Sequence, residues 1–246
     1  MEWVTEMDKM IDFHSHILPK IDDGSKSSDE SIEMLLAERQ QGVSDIIATP
    51  HFYAHDVSIT HFLERRKASY DRLQEKIALK GVQADVPKIH VGAEVYYFPG
   101  MGRAEELAKL CVNEGDLLLL EMPFAQWTKD VLKDVEQILH KQKLRVMLAH
   151  VERFYGYQKK KDIWNEVLSL PIIFQINAGG LEDRKERKVA LKLLKEELPI
   201  VMGSDCHGIK RRPPNLTSGR NIVEKKMGTA CLEQIDELGQ RIMEDE

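Results

Sequence analysis

Residues 117–122 read Leu117-Leu118-Leu119-Leu120-Glu121-Met122, four leucines in a row closed by a carboxylate. Successive side chains of a strand point to opposite faces, so an unbroken apolar run calls for burial on both. A parallel sheet with helices on each side provides this, whereas a half-solvated antiparallel sheet would alternate. Comparable runs lie at 10–17, 45–52, 88–97, 145–151, 171–178 and 199–206, separated by charged, helically periodic stretches at 29–41, 59–80, 128–143 and 181–197. Strands alternating with helices predict a parallel sheet inside a ring of helices. Seven such units without a linker or composition break predict one barrel-like (β/α) domain over 10–246, after a polar extension at 1–9.

The chain has 246 residues and a formal net charge of −6. That acidity argues against a nucleic-acid surface or an anionic-membrane surface, though not against a small basic pocket. Cys111, Cys206 and Cys231 are odd in number, far apart and without metal-type spacing, which fits a reducing cytoplasm better than a disulfide framework. No apolar run reaches the length of a membrane span, so a cytoplasmic protein without membrane insertion is expected.

Each apolar run stops being apolar in an informative way. The first ends in His14-Ser15-His16, the second in His51, the third in Glu94, the fourth in Glu121, the fifth in His150 and the last in Asp205-Cys206-His207. The C-terminal strand ends of a (β/α) barrel share one face, and active sites are built there. A single histidine at a strand end is usually a hydrogen-bonded core residue. Six strand ends closing in His, Asp or Glu point instead to a metal site, because buried charges need partners. Imidazoles and carboxylates without thiolates suit Mn²⁺, Fe²⁺ or Zn²⁺, and these eight donors exceed what one open site takes. Two or three ions are implied, an arrangement suited to in-line phosphoester hydrolysis by a metal-bound hydroxide. His55, His61, His90 and His140 lack this context and read as structural or solvated, with His55 a candidate for the rim.

These residues resemble the polymerase and histidinol phosphatase (PHP) superfamily, with its opening H-x-H, central His and Glu, and closing D-x-H. The segments Ile11–Gly24 (IDFHSHILPKIDDG), Ala48–Phe52 (ATPHF), Gly92–Tyr96 (GAEVY), His150–Arg153 (HVER) and Gly203–His207 (GSDCH) are similar to the manganese-dependent bacterial tyrosine-protein phosphatases of the CpsB/CapC/YwqE type. The resemblance spans about 10–225 and implies a distorted (β/α)7 TIM-like barrel of the PHP type. It also implies that His14, His16, His51, Glu94, Glu121, His150, Asp205 and His207 bind metal, Mn²⁺ above all, joined by an aspartate of the Asp22-Asp23-Gly24 loop. Asp23 is favoured and Asp22 is its competitor, with an Asx-type turn before Gly24 expected of one of them. Arg153 resembles the arginine that holds the substrate phosphate, a role its guanidinium fork suits. The implied partner is a phosphotyrosine protein, namely the C-terminal tyrosine cluster of a bacterial tyrosine kinase controlling capsule or exopolysaccharide synthesis.

The basic run 209–214 reads either as a second anion contact, through Arg211 or Arg212, or as a solvated loop. Cys206 and Arg212 formally satisfy C-x5-R, the loop of cysteine-dependent phosphatases, but Pro213-Pro214 disfavour the helix start that loop requires. Alternation along the chain also predicts that Cys206 points away from Asp205 and His207. Competing readings are a histidinol-phosphate or other small-molecule phosphatase, a TatD-type or amidohydrolase-type metal hydrolase, and a metal-binding regulatory module without turnover.

Overall fold

The computed structural model describes residues 10–244; the polar segment read at 1–9 lies outside them. Nine strands are defined there: β1 (Met10–Ser15), β2 (Val43–Ala48), β3 (His51–Phe52), β4 (Lys88–Val91), β5 (Glu94–Tyr96), β6 (Leu117–Glu121), β7 (Arg145–Leu148), β8 (Ile173–Asn177) and β9 (Ile200–Gly203). All their pairings are parallel. They form a three-stranded sheet, β1-β2-β4, and a six-stranded sheet, β3-β5-β6-β7-β8-β9.

The runs at 45–52 and 88–97, each expected as one strand, are broken in two. Thr49-Pro50 separates β2 from β3, and proline has no N–H to give to a ladder. Gly92-Ala93 separates β4 from β5 at the matching level, where Gly92 N–H donates to Ala48 and Glu94 N–H to Pro50. Each broken run therefore passes from one sheet into the other. On the far side, Asp205 N–H donates to the His14 carbonyl at 2.7 Å and His16 N–H to the Cys206 carbonyl at 2.9 Å, bringing β1 against the segment after β9. With each broken run counted once, the result is a distorted (β/α)7 barrel whose β9–β1 seam is held by a single bridge.

Two other runs end sooner than expected. The run at 145–151 leaves the sheet after Leu148, where His150 takes a left-handed φ of 30°; that at 199–206 leaves after Gly203, with Asp205 at φ 52°. Both turns occur where the chain presents an ionisable side chain to the barrel mouth. The helices are α1 (Ser28–Gln40), α2 (Ile59–Lys80), α3 (Lys129–Gln137), α4 (Val151–Phe154), α5 (Asp162–Leu168), α6 (Arg184–Lys195), α7 (Leu216–Met227) and α8 (Thr229–Glu244). Ser27, Ser58, Thr128 and Asp183 cap the N-termini of α1, α2, α3 and α6 by accepting backbone N–H bonds. The periodic stretch at 128–143 continues past α3 only as a π turn, Ile138–Gln142.

The four leucines of β6 divide as their pattern requires. Leu117 and Leu119 pack inside the barrel with Ile11, Phe13, Met147 and Val201, while Leu118 and Leu120 pack outward against the helical layer. Ile242 of α8 joins the interior cluster, and its carbonyl accepts a bond from Arg145, the first residue of β7. The C-terminal helix thus closes the N-terminal end of the barrel and leaves the opposite end for chemistry. No helix among the described residues is long and apolar enough to cross a membrane.

Candidate metal centre

At the open end the strand termini and the loop between β1 and α1 bring nine side chains together. Glu94, at the start of β5, is almost fully buried at the centre. Its Oε2 lies 3.3 Å from His14 Nε2, 3.4 Å from His16 Nε2 and 2.8 Å from His51 Nδ1, and its Oε1 lies 2.9 Å from His150 Nε2. Asp205 Oδ1 approaches His14 and His16 at 3.6 and 3.4 Å. Glu121 reaches His150 at 3.4 Å, and Asp23 Oδ1 lies 3.3 Å from His207 and 3.5 Å from His51. Three groups at this mouth have donor atoms close enough to share an ion: His14, His16 and Asp205; His16, Asp23, His51 and His207; His51, Glu94 and Glu121; a fourth such group, Asp12, Glu38 and Cys206, is buried apart from them.

The proton positions bear on whether cations fit. His14 Nδ1 lies 3.0 Å from the Gln175 side-chain oxygen, and His16 Nδ1 lies 2.7 Å from Asp22. Both partners are acceptors, so each Nδ1 carries a hydrogen, and in the neutral ring the Nε2 lone pair is the one left for a cation. Those two Nε2 atoms nevertheless sit 3.1 Å apart, facing Glu94 and Asp205. Lone pairs and carboxylate oxygens converging in a dry site call for positive charge between them. Glu94 Oε2, His51 Nδ1 and His150 Nδ1 also lack a well-formed hydrogen bond. The donor set fits divalent cations.

Without such cations, His16, His51 and His150 take up charge, whereas burial pushes His207 down to about 4. Burial alone would depress His16, but Asp22, Asp205 and Glu94 hold it protonated well above the usual histidine range. Burial opposes the charge on His150 too, yet hydrogen bonds to Glu121 and Glu94 push it up to about 9. Burial opposes charge on Glu94 and Asp205 as well, yet His14 foremost, with His16 beside it, keeps both ionised well below the usual carboxylate range.

A supporting layer orients these groups, and the strand-end reading missed it. β8 has no ionisable residue at its end, but Gln175 accepts from His14 Nδ1 and from His150 N–H at 2.8 Å. Its amide donates to Asn177, and Asn177 donates to Asp205 Oδ2 at 2.6 Å. Asp12 accepts from the backbone N–H groups of His14 and Ser204. The available signal was Gln175 and Asn177, two polar residues on one strand face within an apolar run.

The two aspartates after Ile21 divide their roles. The Asp22 side chain is turned inward, 5% exposed; it binds His16 Nδ1 and the His51 N–H and makes the Asx-type contact to Gly24 N–H at 2.9 Å. Asp23 is 65% exposed and presents its carboxylate to His51 and His207. A Cβ on Gly24 would lie 2.2 Å from the His16 carbonyl oxygen, so the loop closes only with glycine. Gly24→Ala is expected to cost about 1–3 kcal/mol and to lower activity by displacing Asp22 and Asp23; thermal melting and turnover check both effects.

Arg153 follows His150 on α4, and its guanidinium donates to Asp205 Oδ2 at 3.0 Å. Arg212 also contacts that oxygen and lies 3.0 Å from His207 Nε2. Arg211 is exposed and makes no ion pair among the described residues; it lines a hollow beside Asp23 and His207. His90 is tied to Asp45 at 2.7 Å, His55 is 73% exposed, and His61 and His140 are also exposed. Cys206 is fully buried on the opposite side from the histidines. Burial, with Glu38 and Asp12 beside it, raises its thiol well above the ordinary range, so it is no thiolate nucleophile. Cys206→Ser should leave turnover within about twofold of the parent; loss of turnover with metal content intact would contradict this.

A profile of the family described as capsular polysaccharide synthesis, CpsB/CapC, matches residues 10–239. The tyrosine-protein phosphatase CpsB of Streptococcus pneumoniae is 28% identical over 236 residues, covering 89% of this chain and 91% of that one. The tyrosine-protein phosphatase YwqE of Bacillus subtilis (strain 168) is 29% identical over 232 residues, covering 89% and 86%. A crystal structure from work on YwqE and CpsB, described there as metal-dependent tyrosine phosphatases, superposes with a TM-score of 0.83 at 23% identity, over 96% of this chain and 95% of that one. It shares the fold. Because the family profile spans nearly the whole length, this chain belongs to the CpsB/CapC family.

Proposed function

We propose that this protein is a metal-dependent protein-tyrosine phosphatase that uses two or three divalent ions, Mn²⁺ foremost. The observation that carries this reading is the convergence of nine His, Asp and Glu side chains, Glu94 at their centre and Arg153 at their edge. The similarity to tyrosine-protein phosphatases in two bacteria supports it. In this reading His14, His16 and Asp205 hold one ion, and His51, Glu94 and Glu121, with His150 alongside, hold another. Asp23 and His207 complete a third position. Imidazole and carboxylate donors without thiolate favour Mn²⁺ or Fe²⁺, with Zn²⁺ also compatible. When bound, such ions lower the pKa of coordinated water towards roughly 7 and neutralise phosphoryl oxygens.

The chain's own residues do the positioning. Asn177, Arg153 and Arg212 engage Asp205 Oδ2, which aims Oδ1 at His14 and His16. Gln175 and Asp22 fix the tautomers of His14 and His16. Arg153 is partly exposed at the mouth, where its fork can take two non-bridging oxygens of a phosphate. Phenolate, with a pKa near 10, leaves more easily than an alkoxide, so phosphotyrosine asks less of a general acid. The substrate we infer is a phosphotyrosine cluster at the C-terminus of a tyrosine kinase governing capsule or exopolysaccharide synthesis, met in the cytoplasm.

The test is phosphate release from a tyrosine-phosphorylated peptide by purified protein, with metal analysis of the same sample. EDTA should abolish turnover and Mn²⁺ restore it. Silence of the metal-loaded protein on phosphotyrosine would overturn the reading.

A further inference from the structure

A groove of about 800 Å³ opens beside the metal centre, between the segment that follows His150 and helix α6, and Arg153 belongs to its lining. One wall carries Tyr157, which is 47% exposed. The other carries Lys185, Lys188 and Lys192, spaced three and four residues apart and so on one face of α6, all exposed. Lys185 and Lys188 pair with no carboxylate among the described residues, while Lys192 reaches Glu196 at 3.5 Å.

Three carboxylates also line the groove, Asp183, Glu152 and Glu186. Asp183 accepts the Lys185 and Glu186 N–H groups as the cap of α6. Glu152 is buried, and Asp205, then Glu152 and Glu186, favour the charge on Arg153. Beyond Asp183, the exposed edge of α6 along the groove is a row of lysines, in a lining that also holds the arginine proposed to hold the phosphate. At 1.5 Å per helical residue, the row from Lys185 to Lys192 spans about 10 Å, which is about three residues of extended peptide.

Building on the phosphatase reading, we propose that this groove receives an acidic peptide segment flanking the phosphorylated tyrosine, with its carboxylates against Lys185, Lys188 and Lys192. Exposed lysines on long stems suit flexible acidic side chains, and a three-residue span suits a linear segment.

The experiment compares two phosphotyrosine peptides, one with three flanking glutamates and one with glutamines in their place, together with p-nitrophenyl phosphate, at low ionic strength and with Mn²⁺ present. The wild type should prefer the acidic peptide. The double variant Lys185→Glu, Lys188→Glu should lower kcat/KM for it about tenfold and erase the preference, with p-nitrophenyl phosphate turnover unchanged. High salt should weaken the wild-type preference. Equal turnover of the two peptides by the wild type, or an unchanged preference in the variant, would overturn the groove assignment and leave the phosphatase reading standing. An equal loss on all three substrates would also overturn it, because the lysines would then serve the centre itself. Binding of the wild type to anionic phospholipid vesicles, lost in the variant while the peptide preference persists, would assign the row to a membrane surface instead. If no substrate is turned over by the metal-loaded wild type, the phosphatase reading fails and this inference falls with it.

Discussion

Replacing Glu94 by glutamine should reduce turnover of a phosphotyrosine peptide by at least about 10²-fold and lower the bound metal per chain. The substitution is nearly isosteric, so the loss reports on charge and donor type. Glu94 lies within 3.4 Å of four imidazoles through its two oxygens. In the buried centre an amide offers one neutral oxygen, and its NH₂ faces ring nitrogens whose lone pairs point inward. The carboxylate thus balances both the histidine cluster and any cations it holds. Metal analysis and steady-state kinetics on the same preparation provide the check. Retention of more than a tenth of the activity with a full metal complement would show that Glu94 is peripheral to the chemistry.

Arg153→Lys should lower kcat/KM about 10²-fold while leaving metal content unchanged. Lysine keeps the positive charge but loses the fork that can span two phosphate oxygens. Because Arg153 also binds Asp205 Oδ2, the metal measurement separates its two contacts. Asn177 and Arg212 remain on that oxygen, so Asp205 should hold its place without Arg153. A variant with full metal and activity within threefold would remove Arg153 from substrate binding; one that loses metal would make it a support for Asp205. Arg212 is the more informative comparison than Arg211, since its guanidinium reaches the centre and Arg211 stays at an exposed rim.

Much of this architecture could be read from residue order because it depends on local rules. The leucines of β6 had to be buried on both faces, and they divide between barrel interior and helical layer. Ser58 and Gly81 bound α2 at the residues where a hydroxyl cap and a left-handed turn are expected. Pro50 was visible too, but reading 45–52 as one strand overlooked its missing N–H, which ends β2 and starts the handover between sheets. The left-handed turns at His150 and Asp205 were not legible, since neither is a glycine; their conformation is imposed by neighbouring strands.

The residues of the centre were legible for a different reason. Charged groups at the ends of buried strands are costly, so their repetition along the chain marks a shared need for partners. The residues that orient them were not. Gln175 and Asn177 are ordinary polar residues in sequence, and become informative only when β8 lies beside β7 and β9 and directs their amides at His14, His150 and Asp205. Asp22 and Asp23 are adjacent and chemically identical, and only the closure of their loop onto His16 turns one inward and leaves the other at the mouth. Lys185, Lys188 and Lys192 lie in one charged, helically periodic stretch of sequence, and line a groove only because the segment after His150 supplies its second wall. Sequence alone thus determined the alternation of elements, the buried runs and the identity of the ionisable strand ends, because these follow from side-chain periodicity and the cost of burying charge. Tertiary structure decided which atom of each side chain faces the centre, because that depends on hydrogen bonds between segments as far apart as His14 and Gln175.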